Sequence, residues 1–197
     1  MKVHLGAFDQ GIDGWINGDV TPHLFITRVP FLPIVLHKCG VMDAMRLAQH
    51  ESGVFRKLVY LDLARPLPYH DNCVSAFFSS HVLEHLFIGE VVALVREMHR
   101  CLVPGGVCRV VVPDLSKMVK AFDASNPRDF LLQVFEAESR GAVKNAHHWG
   151  FTIEYLTAIF REAGFTECNE TAYRVGKCPD LARLDNRPES IFFEAYK

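Results

Sequence analysis

A histidine–glutamate–histidine cluster in the segment SSHVLEHL is the most chemically suggestive feature of the sequence. His81, Glu84 and His85 form a literal H-x-x-E-H, which is the inverted zinc-protease signature. Histidines four residues apart share one face of a helix and can bind zinc, with Glu136 or Glu138 downstream as a third ligand. The segment also follows a strand-like apolar run, so it equally fits the rim of a pocket at a strand end.

A second set of candidate residues lies at the ends of neighbouring predicted strands. Gly6 follows the first strand, where a glycine lets a ligand approach the backbone closely. Asp19 ends the second strand, where an acidic residue can accept both hydroxyls of a ribose. Asp62 lies at the third strand, where a carboxylate can accept the exocyclic amine of an adenine. Ser80 and His81 follow the fourth strand, and the set as a whole describes a nucleoside-shaped pocket.

Alternating strands and helices must position these residues. Apolar runs predict strands over 2–8, 15–20, 58–63, 74–79, 107–112, 167–174 and 190–196. Helical spacing and capping residues predict an irregular helical stretch over 21–55 and helices over 90–102, 114–123, 127–140 and 152–163. This alternation is typical of an α/β layered fold with a mostly parallel sheet. Ligands of such sheets bind outside the carboxyl ends of the strands.

The bulk composition favours a cytoplasmic protein of one domain, residues 1–197. Hydrophobic residues make up 49% and charged residues 22% of the chain, which excludes wholesale disorder. The formal net charge is −2 without a basic block, so we expect no nucleic-acid partner. The six cysteines form no C-x-x-C pair, which favours a reducing compartment. The longest apolar stretch, 29–36, carries two prolines and is far too short to span a membrane.

Four segments in a fixed order resemble one family. They are HLGAFDQGIDGWINGDV (4–20), YLDLARPLPYHDNCVSAFFSSHVLEHL (60–86), LVREMHRCLVPGGVCRVVVPDL (94–115) and HHWGFTIEYLTAIFREAGF (147–165). In this combination the chain resembles the class I S-adenosylmethionine-dependent methyltransferases, especially the type-11-like group. The resemblance implies a three-layer Rossmann-like fold with a mostly parallel seven-stranded sheet whose last strand runs antiparallel. It also implies S-adenosylmethionine as the cofactor.

The resemblance assigns a role to each strand end. The implied cofactor contacts are Gly6 and Ala7 for the amino-acid half, Asp19 for the ribose, Asp62 with Leu63 for the adenine edge, and Ser80 with His81 near the methionine. In relatives a segment similar to HHW borders the acceptor side of the pocket, which makes His148 the leading candidate base and His85 the second. Because the sulfonium methyl is already activated, a base is needed only if the acceptor must lose a proton.

Two departures from the family pattern concern the first turn. Relatives carry Gly-x-Gly there, whereas this chain has Gly6-Ala7-Phe8, so we expect Ala7 and Phe8 to crowd the cofactor's carboxylate. The crossover from Gly6 to Asp19 is also too short for the usual helix, since a parallel crossover needs about a dozen residues. A catalytically degenerate binding module is therefore an alternative to an active enzyme.

The leading hypothesis is a methyltransferase acting on an unidentified small-molecule or saccharide-related acceptor. The region 21–57 is interpreted as a helical insertion that forms buried core, a lid or an interface, a homodimer contact included. A zinc hydrolase using His81, Glu84 and His85 is the remaining alternative.

Overall fold

The computed structural model describes residues 1–136 and 146–197 and contains one seven-stranded sheet. Its strands are β1 (Lys2–Leu5), β2 (Ile16–Asp19), β3 (Leu58–Tyr60), β4 (Val74–Ser80), β5 (Leu102–Val112), β6 (Glu167–Thr171) and β7 (Ile191–Tyr196). The strand order is β3-β2-β1-β4-β5-β7-β6. The first five strands pair in parallel, and β7 runs antiparallel to both of its neighbours, β5 and β6. The predicted mostly parallel sheet with an antiparallel last strand is confirmed.

The helices of the described residues overlap the predicted helical ranges, except for one at 181–184 that was not predicted. They are α1 (His23–Ile26), α2 (Leu32–Lys38), α3 (Ala44–Glu51), α4 (Ile88–Cys101), α5 (Leu115–Lys120), α6 (Pro127–Phe135), α7 (Ile153–Glu162) and α8 (Leu181–Leu184). Thr152 caps α7 by accepting a hydrogen bond from the Tyr155 amide at 3.3 Å. The predicted helix over 127–140 ends at Phe135 within the described residues, and Glu138 lies outside them. None of the described helices is long and apolar enough to cross a bilayer.

The larger core lies between the sheet and helices α4 and α7. Alternate residues of the central strands point to this side, as the two-residue period of a strand requires. They meet the apolar stripe that α4 was predicted to present, with Val91, Leu94, Val95, Met98 and Cys101 all buried. Because the strands are covered here, the carboxyl ends of β1 and β4 are held in fixed positions.

The opposite face of the sheet is covered in an unusual way. The residues between β1 and β2 form turns without a helix, as the short crossover predicts. The segment 172–185, which includes α8, covers this face instead. Arg109 of β5 is fully buried beneath it and forms ion pairs with Asp185 and Glu194. It also donates to the carbonyls of Ala172 at 3.0 Å and Val175 at 2.9 Å, so one guanidinium ties the segment to the sheet.

The insertion at 21–57 consists of α1, α2, α3 and a 3₁₀ turn at Val54–Lys57 rather than one kinked helix. Its inner side forms a small third core with the first turn of the sheet, in which Ala7, Leu24, Phe55 and Leu58 are buried. Its outer side exposes large apolar side chains, namely Phe25, Val29, Phe31, Ile34, Val35, Val41 and Met45. The interpretation of this insertion as a lid or a homodimer contact stays a prediction.

Candidate functional site

The sheet order brings the predicted strand-end residues to one edge. Strands β3, β2, β1 and β4 are consecutive neighbours, and all four run in the same direction. Leu5 is in register with Gly18 on one side and with Ser79 on the other. Gly6, Asp19 and Ser80 therefore end adjacent strands at the same level, which is where ligands of parallel sheets bind.

Asp19 ties the first turn to the end of β2. One carboxylate oxygen accepts the Phe8 amide at 2.9 Å, and the other accepts the Thr21 amide at 2.7 Å. Each oxygen of an ionised carboxylate has a second lone pair. Asp19 is half-buried, so it can hold the turn in place and still accept hydrogen bonds from a ligand.

Ala7 and Phe8 do not crowd this edge of the sheet. The Ala7 side chain is buried in the third core, and its amide donates to the Gly18 carbonyl at 3.0 Å. Phe8 has a positive φ of 39°, and its ring packs 5.8 Å from the Phe55 ring and 4.7 Å from the Arg46 guanidinium. The expected obstruction by these two side chains is thus corrected, because both turn towards the insertion.

The space in front of Gly6 is occupied by Val82 instead. Gly6 has a φ of +65°, and a Cβ added to it would lie 2.3 Å from Cγ2 of Val82. The positive φ and the missing side chain fit a backbone that must approach a cofactor closely. The strand-end residues therefore fit S-adenosylmethionine in type, and Val82 fills the place that a side chain on Gly6 would take.

The carboxylate of Asp62, after β3, has local partners at both of its oxygens. Asp62 accepts the Ala64 amide at 3.0 Å and pairs with Arg65 at 3.1 Å. The side chain of Leu63 belongs to the larger core, which leaves only its backbone for a ligand. The assignment of Asp62 and Leu63 to the adenine edge stays a prediction.

The H-x-x-E-H segment does not form the helix that its spacing would need. Residues Leu83–His85 make a short 3₁₀ turn. Nε2 of His81 lies 2.8 Å from Oγ of Ser190, and its Nδ1 lies 3.2 Å from Oε1 of Glu84. The structure therefore does not assemble the predicted zinc set of His81, Glu84 and His85, since His81 turns towards Ser190.

A different set of potential ligands comes together here. One ligand atom each from Glu84, His85 and His147 lies within 4.8 Å of the others, and these three form the one such group found in the described residues. The His85 and His147 rings are 5.0 Å apart. Glu136, a predicted third zinc ligand, lies 3.6 Å from Nε2 of His147. The sequence did not predict His147 as a metal ligand. It did draw attention to this segment, because two adjacent histidines precede a capped helix.

Glu84 is the most unusual member of this group. It is fully buried, and neither carboxylate oxygen has a hydrogen-bond partner in the described part of the chain. The His81 contact at 3.2 Å is close enough for an ion pair but is not aligned as a hydrogen bond. Burial lowers the pKa of His147, while the nearby carboxylates of Glu136 and Glu84 oppose this shift. His147 is consequently neutral near pH 7 and has a lone pair to offer.

A cleft of about 450 Å³ opens beside this group. It is lined by Leu115, Val134, Phe135, His147, His148, Trp149, Gly150, Thr152 and Tyr155. His148, the leading candidate base, is exposed at the cleft, and its ring stacks on Phe87 at a centroid distance of 4.5 Å. His85, the second candidate, lies in the Glu84 group and does not line the cleft.

Comparisons with known proteins agree with this architecture. Residues 39–110 match the model of a methyltransferase domain family, Methyltransf_11, a range that includes β3, β4 and most of β5 but not the Gly6 turn. A search of curated protein sequences finds no match.

Solved structures show the same fold. A methyltransferase of Archaeoglobus fulgidus described as SAM-dependent is 14% identical with a TM-score of 0.58, and the alignment covers all of this chain and 85% of that one. A possible histamine N-methyltransferase of Thermotoga maritima is 16% identical with a TM-score of 0.55, covering 100% and 81%. A possible exported protein of Bordetella parapertussis is 14% identical with a TM-score of 0.55, and this chain spans only 61% of it.

The family match and the fold lead to the same assignment. The matched range contains the strand ends after β3 and β4, and the alignment with the Archaeoglobus fulgidus structure covers all of this chain. Residues 39–110 are therefore similar to a methyltransferase domain family, and the chain has the Rossmann-like fold of these methyltransferase structures.

Proposed function

We propose that the chain transfers a methyl group from S-adenosylmethionine to a small-molecule or saccharide-related acceptor. The observation that carries this proposal is that His148 of the 450 Å³ cleft contacts the loop that follows β4, since its amide donates to the Glu84 carbonyl at 2.7 Å and its ring stacks on Phe87. The same loop carries Ser80 and His81, which the family resemblance assigns to the methionine end of the cofactor. A donor at the strand ends and an acceptor in the cleft would then face each other across this loop.

The cofactor would be held by Gly6 through its backbone and by Asp19 and Asp62 through their carboxylates. When bound, it supplies a methyl group that is already activated as a sulfonium. The work left for this chain is to align the acceptor and to exclude water. His148 is an exposed side chain of the cleft that could accept a proton from an acceptor hydroxyl.

Aromatic side chains make the cleft suitable for a saccharide-related acceptor. Trp149 is 41% exposed, Tyr155 36% and Phe135 51%, and all three line the cleft. Aromatic rings combine an apolar face with, in Trp and Tyr, a polar group. A sugar ring also has an apolar face and a polar rim, so these side chains could contact both parts.

Calorimetry with S-adenosylhomocysteine tests whether the chain binds the methyl donor at the predicted strand ends. We expect wild-type protein to bind, and Asp19→Asn to bind about 10- to 100-fold more weakly, since a hydrogen bond to a charged group contributes roughly 1.5–3 kcal/mol. Asp13→Asn is the matched control because Asp13 is an exposed carboxylate that pairs with Lys57 at 3.0 Å. Absence of binding by the wild type at millimolar ligand would refute the proposal.

A catalytically degenerate binding module is the second candidate, and the Val82–Gly6 contact favours it. A screen of sugar and small hydroxylated acceptors with labelled S-adenosylmethionine separates the two. Methyl transfer that is lost in Asp19→Asn supports the enzyme. Cofactor binding without transfer to any acceptor supports the degenerate module.

A further inference from the structure

We propose that Glu84, His85 and His147 bind a divalent transition-metal ion, with zinc as the ion that suits the donors best. This site differs from the zinc site that the H-x-x-E-H motif predicts, because His147 takes the place of His81. It does not depend on the methyltransferase proposal, and it can be tested without an activity assay.

The geometry of the group is the first argument. Its three ligand atoms lie within 4.8 Å of one another, and they come from two segments that are far apart in sequence. Ligands of one zinc ion at bond lengths of about 2.0–2.2 Å lie roughly 3–4 Å from each other. Small side-chain movements would therefore bring all three donors to a common ion.

The buried carboxylate of Glu84 is the second and independent argument. A buried ionised group is costly unless it is paired or binds a metal. Glu84 is fully buried, both of its oxygens lack a hydrogen-bond partner among the described residues, and Nδ1 of His81, 3.2 Å from Oε1, is not aligned as a hydrogen bond. A dication bound by the two imidazoles and this carboxylate would give the unpaired oxygens of Glu84 a partner.

The surroundings of His85 fit the same role. Nδ1 of His85 lies 3.3 Å from the carbonyl oxygen of Ala146, which requires Nδ1 to carry the hydrogen. Nε2 is then the nitrogen with the free lone pair. Histidines that bind metals commonly donate the other ring N–H to a backbone carbonyl or a carboxylate in this way.

Space for an ion exists beside the group. Glu84 and His147 both line a small cavity of about 20 Å³, enough for one water molecule or ion. His147 also lines the larger cleft. An ion bound here would thus lie next to the proposed acceptor site.

The donor set selects the kind of metal. Two imidazoles and one carboxylate suit zinc, iron or nickel, whereas magnesium and calcium prefer oxygen donors alone. Zinc sites with three protein ligands keep a position for water or substrate. We therefore chose zinc as the probe, and cobalt as its spectroscopic substitute.

The test is a zinc titration of chelator-treated full-length protein, followed by calorimetry and elemental analysis. We expect one zinc ion per chain, and about 100-fold or greater loss of affinity in His147→Gln and in His85→Gln, since losing only an outer partner already costs 10- to 100-fold. The matched control is His70→Gln, because His70 is exposed and lies outside the group. Unchanged zinc affinity in the first two variants would overturn the proposal, because the zinc would then be bound by other histidines.

Glu84→Gln keeps the test decisive if the histidine variants fold poorly, because it preserves the shape of the side chain. We expect zinc to raise the thermal midpoint of the wild type but not of Glu84→Gln. We also expect the absorption bands of four-coordinate cobalt in the wild type alone. A wild type whose thermal midpoint is unchanged by zinc would overturn the proposal.

Discussion

Val82 offers the sharpest test of how the first turn meets the cofactor. Its Cγ2 occupies the space that a Cβ on Gly6 would enter, at 2.3 Å. If S-adenosylhomocysteine must reach the Gly6 backbone, the two methyl groups of Val82 must first leave that space. Replacing Val82 with alanine removes both methyl groups, so we expect the Val82→Ala variant to bind S-adenosylhomocysteine more tightly than the wild type.

The size of this effect follows from the apolar contacts that the wild type must break. Val82 is partly buried and packs against the larger core. At about 0.8 kcal/mol per buried methyl or methylene group, moving two such groups into water costs up to roughly 1.6 kcal/mol. Since 1.4 kcal/mol corresponds to a factor of ten, the alanine variant should bind up to about 15-fold more tightly.

Val92→Ala is the matched control, and calorimetry is the assay. Val92 is also partly buried and packs against the same core, but it lies on α4. It should lose a similar amount of stability and leave the affinity for S-adenosylhomocysteine unchanged. The reasoning fails if Val82→Ala binds no more tightly than the wild type, or if both alanine variants gain affinity equally.

The remaining predictions concern stability. Arg109→Met should lower the free energy of unfolding by about 3–5 kcal/mol, because it leaves the buried carboxylates of Asp185 and Glu194 without their cation. Urea denaturation measures this loss, and a loss below about 1 kcal/mol would contradict the prediction. Burial lowers the pKa of His4 from 6.5 to about 4. The unfolded chain therefore binds a proton in this window that the folded chain excludes, so stability falls as the pH drops from 6.5 to 4, by roughly 3 kcal/mol at 1.36 kcal/mol per pH unit. His4→Phe should flatten this pH dependence, and equal slopes for both proteins would contradict the assignment.

The regular elements of the fold could be predicted from the sequence because their apolar periods are strong. The stripe of α4 and the cap of α7 at Thr152 appear as their residue types indicate. The strand ends at Gly6 and Asp19 also meet as predicted, since parallel neighbours end at the same edge.

The direction of side chains in turns could not be predicted in the same way. The pattern Gly6-Ala7-Phe8 gives no sign that Phe8 adopts a positive φ and turns towards Arg46. That outcome depends on the third core, which joins residues far apart in sequence. The zinc site predicted from the spacing of H-x-x-E-H was likewise wrong, because a three-residue 3₁₀ turn does not place residues four apart on one face.

Arg109 could not be recognised as a structural residue from its own strand. In the run VCRVVV a single arginine looks like an interruption of a buried strand. Its partners, Asp185 and Glu194, come more than seventy residues later, and only the folded sheet shows that they surround it.

The place of β7 in the sheet has a consequence for how the chain folds. β7 lies between β5 and β6, and its residues 191–196 come after all the other strands in the chain. Until this segment has left the ribosome, β5 is an apolar edge strand with unpaired backbone groups, which is the kind of edge that pairs with other chains. The sheet therefore closes late, and the period of greatest aggregation risk during synthesis should last until β7 inserts beside β5.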